Sequence, residues 1–317
     1  MFSKILVTGS RGPLGQGLQA IKNTFPGSEF VFSNSQLCDL TDAPAVMAHV
    51  GEHKPDAILH LAALSGGIGY SAKFPATLLR ANVLMALNVL ESARAHGVTK
   101  VVLTLSTGIY PENVFYPIKE EYLHDGPPHE SAYSYSFAKR LMEPCVRAYR
   151  TECGMNVIGL SPNGILGEGC RFDESATMVP ALIKRFYESR HGTSKLVVWG
   201  DGSPLREYTY AKDLAKAFMW CLHHYHEPGI LHVGTTEEVS VKDIAFMIAD
   251  ELGIDRGRLF FDTSKPGGIY RKPTDNAKFL KLSGFEYTPF RIGLANTIAW
   301  YRGLASATAR DQVSSRP

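Results

Sequence analysis

A glycine-rich turn near the N-terminus constrains the fold of this chain more than any other feature. The segment 9–15 spaces its glycines as G-x-x-G-x-x-G, directly after the apolar run 4–8 and before residues with a helical stripe. Glycines permit a tight turn and close approach of a ligand to the backbone, and the first helical turn offers free N–H groups to a pyrophosphate. This context predicts a dinucleotide site formed by Gly9, Arg11, Gly12, Pro13, Leu14 and Gly15.

Strands and helices alternate after this turn. Apolar runs typical of buried parallel strands occur at 30–32, 57–61, 100–105 and 156–160, and helical patterns separate them. We therefore predict an α/β fold, with a doubly wound, Rossmann-like parallel sheet and a smaller C-terminal α/β substrate domain. The dinucleotide-binding domain is expected at 1–163 and about 207–236, and the second domain at about 164–206 and 237–303. One helix is expected from Tyr135 to Glu152, and 304–317 are expected to form a loose tail.

Charge and composition exclude several classes of partner. The chain has 33 Lys+Arg and 31 Asp+Glu, a net charge of +2 that is too balanced for binding nucleic acid or an anionic membrane surface. No apolar run approaches the roughly 18 residues of a transmembrane helix, and the N-terminus lacks the pattern of a signal peptide. The five scattered cysteines lack a C-x-x-C pair, which favours reduced thiols and argues against a zinc site. We expect a cytoplasmic protein without a bound metal.

The residues after the second predicted strand indicate which dinucleotide is bound. Enzymes that prefer NAD usually carry an acidic residue there for the ribose hydroxyls. Here the strand is followed by Ser33, Asn34 and Ser35. This polar tip accommodates a 2′-phosphate, with which Arg11 can pair, so we predict NADP(H). Asp39 is expected at the adenine edge, and the alternative that 33–35 is simply a polar turn stays open.

A tyrosine and a lysine stand four residues apart on a predicted helix, so Tyr135 and Lys139 share one face. An ammonium group beside a phenol lowers the phenol's pKa, and such a phenol can give a proton to a carbonyl oxygen as hydride arrives at its carbon. This spacing is also common on protein surfaces. Ser106 strengthens the functional interpretation because it ends the strand 100–105, at the sheet edge where ligands bind. We predict a catalytic set of Ser106, Tyr135 and Lys139.

Together these residues resemble the extended, nucleotide-sugar-modifying branch of the short-chain dehydrogenase/reductase family, and within it the GDP-L-fucose synthases. The resemblance runs from about residue 3 to 303. Besides the N-terminal turn, it is carried by 60–63 (HLAA), 75–88, 105–107 (LST), 109–111 (IYP), 134–139 (SYSFAK), 198–200 (VWG), 204–207 (PLRE), 262–266 (DTSKP) and 271–272 (RK).

The resemblance implies roles for individual residues. Ser106 and Tyr135 would hydrogen-bond the 4-keto oxygen of a sugar, with Tyr135 as the acid, while Lys139 would bind the nicotinamide ribose and hold the tyrosine's pKa down. Further cofactor contacts are expected from Leu40, Leu61, Ala62, Ala63 and Pro162. Contacts with a GDP-sugar substrate are expected from Thr107, Gly108, Asn163, Thr177, Arg185, Trp199, Arg206 and Lys272. Alternatively, Trp199 packs in the core and the arginines form surface ion pairs of little energetic value.

The resemblance also implies a homodimer, in which two helices of each subunit pair across a two-fold axis into a four-helix bundle. The helices at 79–96 and 135–150 carry apolar residues on more than one face, namely Leu84, Leu87, Leu141, Met142 and Val146. The alternative is that both helices simply cover the sheet and are buried within one subunit.

The chain departs from the resemblance at two positions. The synthases invert C3 and C5 before they reduce C4, using a cysteine two residues after the serine and a histidine three residues before the proline of 179–182. Here those positions hold Gly108 and Thr177, neither of which can act as an acid or base near neutrality. We therefore predict a 4-keto-reductase of a GDP-4-keto-6-deoxy-sugar, hexose or heptose, that does not epimerise it.

Two alternatives stay open. One is a complete synthase that uses other groups for epimerisation, such as His129 or Glu168. The other is an inactive protein that binds a nucleotide sugar or NADP, although such a protein has no need to keep the serine, tyrosine and lysine together.

Overall fold

Eleven strands and eleven α-helices make up the described part of the computed structural model, residues 2–265 and 269–314. The strands are β1 (Lys4–Thr8), β2 (Glu29–Phe32), β3 (Ala57–His60), β4 (Lys100–Thr104), β5 (Asn156–Pro162), β6 (Gly164–Leu166), β7 (Leu196–Trp199), β8 (Leu205–Tyr210), β9 (Ile230–Val233), β10 (Glu238–Ser240) and β11 (Leu259–Asp262). The helices are α1 (Pro13–Ile21), α2 (Ala43–His53), α3 (Ile68–Lys73), α4 (Pro75–Ala95), α5 (Tyr133–Arg140), α6 (Met142–Cys153), α7 (Met178–Glu188), α8 (Ala211–His224), α9 (Val241–Leu252), α10 (Ala277–Ser283) and α11 (Phe290–Ser314).

A six-stranded sheet in the order β2-β1-β3-β4-β5-β9 forms the centre of the first part of the fold, and every neighbouring pair in it is parallel. This confirms the predicted doubly wound sheet. The strand order reverses between β1 and β3, where Thr8 pairs with His60. Crossovers leave in opposite directions at such a point and open a crevice beyond the carboxyl ends of the strands, where ligands bind.

Apolar side chains bury both faces of this sheet. On one face, α2, α4 and α6 pack through residues such as Val46, Leu90 and Val146. On the other, α1, α8 and α10 pack through residues such as Leu18 and Phe218. Of the apolar residues named on the helices expected to pair in a dimer, Val146 and Met142 face the core of a single chain. The homodimer itself stays a prediction.

Two small sheets form the second part of the fold, in the orders β10-β8-β6 and β11-β7. With α7, α9 and α11 they enclose a third core that includes Phe186, Ile244 and Ile298. A smaller C-terminal α/β region is thus present, as predicted. Strand β8 belongs to it, whereas β9 returns to the large sheet. The proposed residue boundaries of the two domains stay a prediction.

Two helix predictions were wrong. The segment 135–152 does not form one helix, because α5 ends at Arg140 and α6 begins at Met142. Pro144 explains the break, since its ring clashes with the carbonyl of Arg140 and it lacks an N–H group. The expected loose tail is also wrong for 304–314, which continue α11 and contain alanines but no glycine or proline. Residues 315–317 and Pro266 lie outside the described residues.

Neither α11 nor any other helix in the described residues combines the length and the apolar character that crossing a bilayer requires.

Candidate active site

Three cavities line up along the carboxyl edge of the large sheet. We call them the β2 pocket (about 180 Å³), the central cleft (about 390 Å³) and the α7 cleft (about 680 Å³). Gly9 and Gly12 line both the β2 pocket and the central cleft, whereas Gly66 and Thr177 line both the central and the α7 clefts. The three cavities are therefore adjacent, and together we call them the channel.

All residues predicted to bind a dinucleotide line the first two cavities. The walls of the β2 pocket include Gly9, Arg11, Gly12, Ser33, Asn34, Ser35, Asp39, Leu40 and Ala62. The walls of the central cleft include Pro13, Leu14, Gly15, Leu61, Ala63, Lys139 and Pro162. These residues are up to 153 positions apart in the sequence (Gly9 to Pro162), and the parallel sheet brings them to one edge.

The glycine turn approaches its neighbours too closely for side chains. Gly9 adopts a left-handed φ of 72°, and a Cβ there would lie 2.6 Å from the Cα of Ala62. A Cβ on Gly15 would lie 2.6 Å from the Cα of Ser10. Helix α1 then starts at Pro13 with no side chain capping its N-terminus. Its first N–H groups are therefore available to an anionic group in the central cleft.

The tip of β2 has the polar character that the sequence indicates. Ser33 is buried, and its backbone N–H donates to the Val7 carbonyl (2.8 Å). The exposed Arg11 guanidinium donates to the Gln36 side chain (2.6 Å) and faces no carboxylate partner among the described residues. Asp39 is occupied by Thr41, whose backbone N–H (2.9 Å) and hydroxyl (2.8 Å) both donate to it. A pocket edge that carries an arginine without a carboxylate partner suits a phosphate group.

Ser106, Tyr135 and Lys139 meet in the wall of the central cleft. Ser106 follows β4, and the other two side chains project from α5, whose i,i+4 spacing places them on one face. The Ser106 hydroxyl hydrogen-bonds the Tyr135 phenol. Lys139 is 1% exposed, and its Nζ donates to the Thr104 carbonyl (2.8 Å). The predicted catalytic set is thus assembled at the end of β4, beside the glycine turn.

One electrostatic expectation for this set is wrong. Lys139 does not lower the pKa of Tyr135, because burial raises the pKa of the phenol to about 12 and the hydrogen bond with Ser106 offsets only part of that effect. Burial also lowers the pKa of Lys139 to about 7, so only a fraction of the lysine is protonated at neutral pH. In the wall of this cleft, the cost of desolvating the phenolate exceeds what the hydrogen bond from Ser106 returns. Tyr135 is therefore a protonated phenol at neutral pH.

The α7 cleft collects the residues predicted to grip a diphosphate and sugar. Its walls include Thr177, Arg185, Trp199, Arg206 and Lys272. Trp199 is 58% exposed, so the alternative that it packs in the core is wrong.

Of the four cations that line this cleft, Lys73 forms an ion pair with Glu174 (4.0 Å), whereas Arg185, Arg206 and Lys272 have no acidic partner among the described residues. Arg206 donates to the Ile269 carbonyl (2.7 Å), and burial together with Arg206 lowers the pKa of Lys272 to about 8. Neither of these two residues nor Arg185 forms an ion pair within the described residues, so the surface ion-pair alternative is wrong as well. Unpaired, desolvated cations in a concave site favour an anionic ligand.

Three residues predicted to contact the substrate either lie outside the cavity walls or are already hydrogen-bonded within the protein. Thr107 and Gly108 lie in a short 3-10 turn (Thr107–Ile109) and are absent from the cavity walls, although the Gly108 N–H donates to the Ser106 hydroxyl (3.1 Å). Asn163 lines the central cleft, but its amide is already occupied. It donates to Glu207 (3.2 Å) and the Thr235 carbonyl (2.8 Å), and it accepts from Thr209 (2.7 Å). Its side chain therefore holds the cleft wall together.

The two residues considered as substitutes for epimerisation lie outside the walls of the central and α7 clefts. His129 hydrogen-bonds Ser131 and lies 3.4 Å from a Glu112 oxygen. Glu168 forms an ion pair with Lys212 (2.9 Å), and its pKa is lowered by hydrogen bonds that outweigh burial. Both side chains are thus engaged with partners of their own, outside the walls of the two clefts.

Sequence reasoning missed part of the channel wall. The segment 65–67 and helix α3, including Ile68 and Lys73, line the central or α7 cleft, as do Cys170 and Tyr208. The Ser-Gly-Gly run at 65–67, separated by four residues from the end of strand β3, was a usable signal, because glycines near the carboxyl end of a parallel strand permit close approach to a ligand. Burial raises the pKa of Cys170 to about 11, so this thiol stays protonated at neutral pH and cannot accept a proton.

Comparison with known proteins places this geometry among nucleotide-sugar enzymes. The model of the NAD dependent epimerase/dehydratase family matches residues 5–234. The GDP-L-fucose synthase of Dictyostelium discoideum is 35% identical over 303 residues, which cover 94% of each chain.

Two solved structures share the fold. A GDP-L-fucose synthetase from Naegleria fowleri bound to NADP is 32% identical, with a TM-score of 0.89 over 96% of this chain and 95% of its own. A GDP-mannoheptose C4 reductase from Campylobacter jejuni with NADP bound is 26% identical, with a TM-score of 0.84 over 95% of this chain and 98% of its own.

Proposed function

The chain belongs to the NAD dependent epimerase/dehydratase family, and we propose that it is an NADPH-dependent oxidoreductase that reduces the 4-keto group of a GDP-4-keto-6-deoxy-sugar without epimerising C3 or C5. One observation carries this proposal. Ser106, Tyr135 and Lys139 stand in the middle of a channel that has a dinucleotide cradle at one end and unpaired cations at the other.

The cradle fits NADP(H) in shape and charge. Gly12 leaves open space toward the β2 pocket, since a Cβ there would meet a single neighbour, the Gly9 carbonyl, at 3.5 Å. The uncapped N-terminus of α1 suits the pyrophosphate, and Arg11 with the polar tip of β2 suits a 2′-phosphate. When bound, NADPH supplies the hydride that reduces the sugar's carbonyl carbon.

Tyr135 is the proton donor of the proposed reaction. Its pKa near 12 keeps the phenol protonated at neutral pH, which is the state in which it can give a proton to the carbonyl oxygen. In the proposed complex, the Ser106 hydroxyl hydrogen-bonds the carbonyl oxygen of the sugar and orients that oxygen toward the Tyr135 phenol. Lys139, tied to the Thr104 carbonyl, is positioned to hold the nicotinamide ribose through its remaining N–H groups.

The α7 cleft is the proposed site of the GDP moiety. Arg185, Arg206 and Lys272 offer positive charge to a diphosphate, and the exposed Trp199 ring offers a flat surface for the guanine base. The synthase from Dictyostelium and the C4 reductase from Campylobacter are both named for GDP-sugars, which supports this substrate class. Hexose and heptose remain equal candidates for the sugar.

The absence of epimerisation rests on two positions. Epimerisation beside a ketone needs a base and an acid on opposite faces of the ring, each with a pKa workable near neutrality. Gly108 has no side chain, and Thr177 offers a hydroxyl at the junction of the two clefts. The bifunctional synthase is the second candidate, because a protein that is 35% identical carries that name.

Deuterium exchange separates these two functions. The purified enzyme is incubated in deuterated water with a GDP-4-keto-6-deoxy-sugar, without NADPH, and C3 and C5 are followed by NMR. We expect no more deuterium at either carbon than in an enzyme-free control. Addition of NADPH should then give a C4 alcohol with both configurations retained. Faster exchange with the enzyme would establish the synthase reading instead.

A pair of substitutions extends this test. Gly108→Cys fits the structure, since the nearest atoms to a Cβ there are the Ser106 and Ser136 hydroxyls at 3.4 and 3.5 Å. Combined with Thr177→His it should introduce measurable exchange at C3 or C5 if the sugar occupies the junction of the clefts. The matched control is Gly108→Ala with Thr177→Ala, which adds volume but no titratable group.

We also propose that the enzyme is a homodimer that pairs through α4, α5 and α6. Leu79, Tyr133 and Leu141 on or beside these helices are 40–43% exposed, and because α4 packs against α5 in the same subunit, exposed apolar side chains of both helices are available to a second copy. Leu141→Lys should shift the particle toward a monomer in light scattering. Leu282→Lys, at a similarly exposed leucine of α10, is the control and should leave the mass unchanged. A wild-type monomer at micromolar concentration would contradict the proposal.

A further inference from the structure

Two histidines and a glutamate cluster at the C-terminal end of α2, away from the channel. His49, Glu52 and His53 each offer one ligand atom, and these three atoms lie within 4.8 Å of one another. The spacing i, i+3, i+4 explains the cluster, because 3.6 residues per turn bring the three side chains to one face of the helix. None of them lines the β2 pocket, the central cleft or the α7 cleft.

The donor atoms of this cluster are not used by the rest of the described structure. His49 and His53 contact each other edge to face, with ring centroids 4.6 Å apart. The Nε2 atom of His49 is buried and has no hydrogen-bond partner. An unpartnered buried ring nitrogen is unfavourable, and a bond to a metal ion would satisfy it.

We propose that His49, Glu52 and His53 form a site for one divalent transition-metal ion, Zn²⁺ in particular. Imidazole nitrogen and carboxylate oxygen are ligands that zinc accepts, and two histidines with one glutamate leave the fourth tetrahedral position to water. Bonds of about 2.0–2.2 Å require ligand atoms roughly 3.3 Å apart. Rotation of the side chains closes the remaining gap, because all three residues are at least partly exposed.

The backbone that presents these ligands is held in place. The Asp42 side chain caps the N-terminus of α2 by accepting from the Ala45 N–H (3.2 Å), and the backbone N–H of Lys54 closes the last turn on Val50. Val46 and Val50 are 1% exposed and anchor the helix in the core. Binding therefore needs only the ordering of three side chains, which keeps its entropic cost small.

Zinc titration of the full, tag-free protein tests the site. After treatment with a chelator and desalting, the protein is titrated with ZnCl₂ in the presence of a chromophoric chelator that reports free zinc. Wild type should bind one equivalent. His49→Ala with His53→Ala should abolish that binding. Glu52→Gln and His53→Gln should each weaken it by more than about tenfold, the lower end of what loss of an outer-shell partner alone causes.

His96→Ala is the matched control. His96, which follows α4, packs against Gly51 of α2 and hydrogen-bonds the Met47 carbonyl (3.0 Å). Both contacts lie on the side of α2 away from the cluster. This variant should bind zinc as wild type does, and all variants should keep NADPH binding, because none alters the channel. Absence of zinc binding in wild type would refute the site. Equal binding by wild type and the double variant would refute it too, because the zinc would then be held elsewhere.

Discussion

Replacing the buried carboxyl of Glu207 by an amide should change how the stability of this protein depends on pH. Glu207 is 8% exposed and supports the wall of the central cleft. It accepts hydrogen bonds from the Thr274 hydroxyl (2.8 Å), the Thr274 N–H (3.2 Å) and the Asn163 amide (3.2 Å). Glu207→Gln keeps an acceptor oxygen for these donors but removes the titration.

The sign and size of the effect follow from the pKa of Glu207. Burial raises it from an ordinary value of 4.5 to about 7, against the opposing hydrogen bonds from Thr274 and Asn163. Between pH 4.5 and 7 the folded protein therefore holds a proton that the unfolded chain has lost, and its stability falls as the pH rises. Each pKa unit corresponds to 1.36 kcal/mol, so the loss across this window is about 3 kcal/mol.

Urea unfolding at several pH values between 4.5 and 8 measures this loss. The free energy of unfolding of wild type, minus that of Glu207→Gln, should decrease by about 3 kcal/mol over the range and be constant above it. Glu286→Gln, at an exposed glutamate, is the control and should follow the wild-type curve. If wild type and Glu207→Gln have parallel curves, the carboxyl ionises normally and the reasoning from burial is wrong.

Three further predictions concern the channel. Tyr135→Phe should lower the reduction rate by about 10²–10⁴-fold while NADPH binding in a fluorescence titration stays near wild type, because only the proton donor is lost; near-normal turnover would contradict its role. Ser33→Asp should weaken NADPH binding about tenfold more than NADH binding, since a carboxylate at the tip of β2 repels a 2′-phosphate; equal changes would argue against NADPH preference. Gly15→Ala should cost roughly 1–3 kcal/mol of stability and reduce NADPH affinity, because its Cβ would meet backbone of the turn at 2.6 Å. Gly303→Ala, with open space around its Cβ, is the control that should remain stable.

Some of this site could be predicted because its requirements are local. The left-handed φ of Gly9 and the uncapped start of α1 depend on a few consecutive residues, so the spacing of glycines was sufficient. The shared face of Tyr135 and Lys139 follows from helical geometry alone. Even the break between α5 and α6 was readable, because Pro144 carries the signal within its own turn.

Other properties depend on contacts between distant segments. Arg185, Trp199, Arg206 and Lys272 come from α7, β7, β8 and the loop before α10, and no spacing in the chain predicts that they line one cleft. Their convergence in this sequence was inferred through a family resemblance, whereas the structure brings them together physically.

The pKa values in the site depend on tertiary structure more completely than its other properties do. The sequence by itself determined that a lysine would stand one turn from Tyr135, and from that proximity a lowered phenol pKa follows. Burial reverses the direction of the expected shift in the phenol's pKa, since desolvation raises the pKa of Tyr135 and lowers that of Lys139. Burial is a property of the packed protein, because it depends on every element that excludes water from the group. A sequence specifies which groups are neighbours along a helix, but only the folded chain sets the dielectric surroundings in which they act.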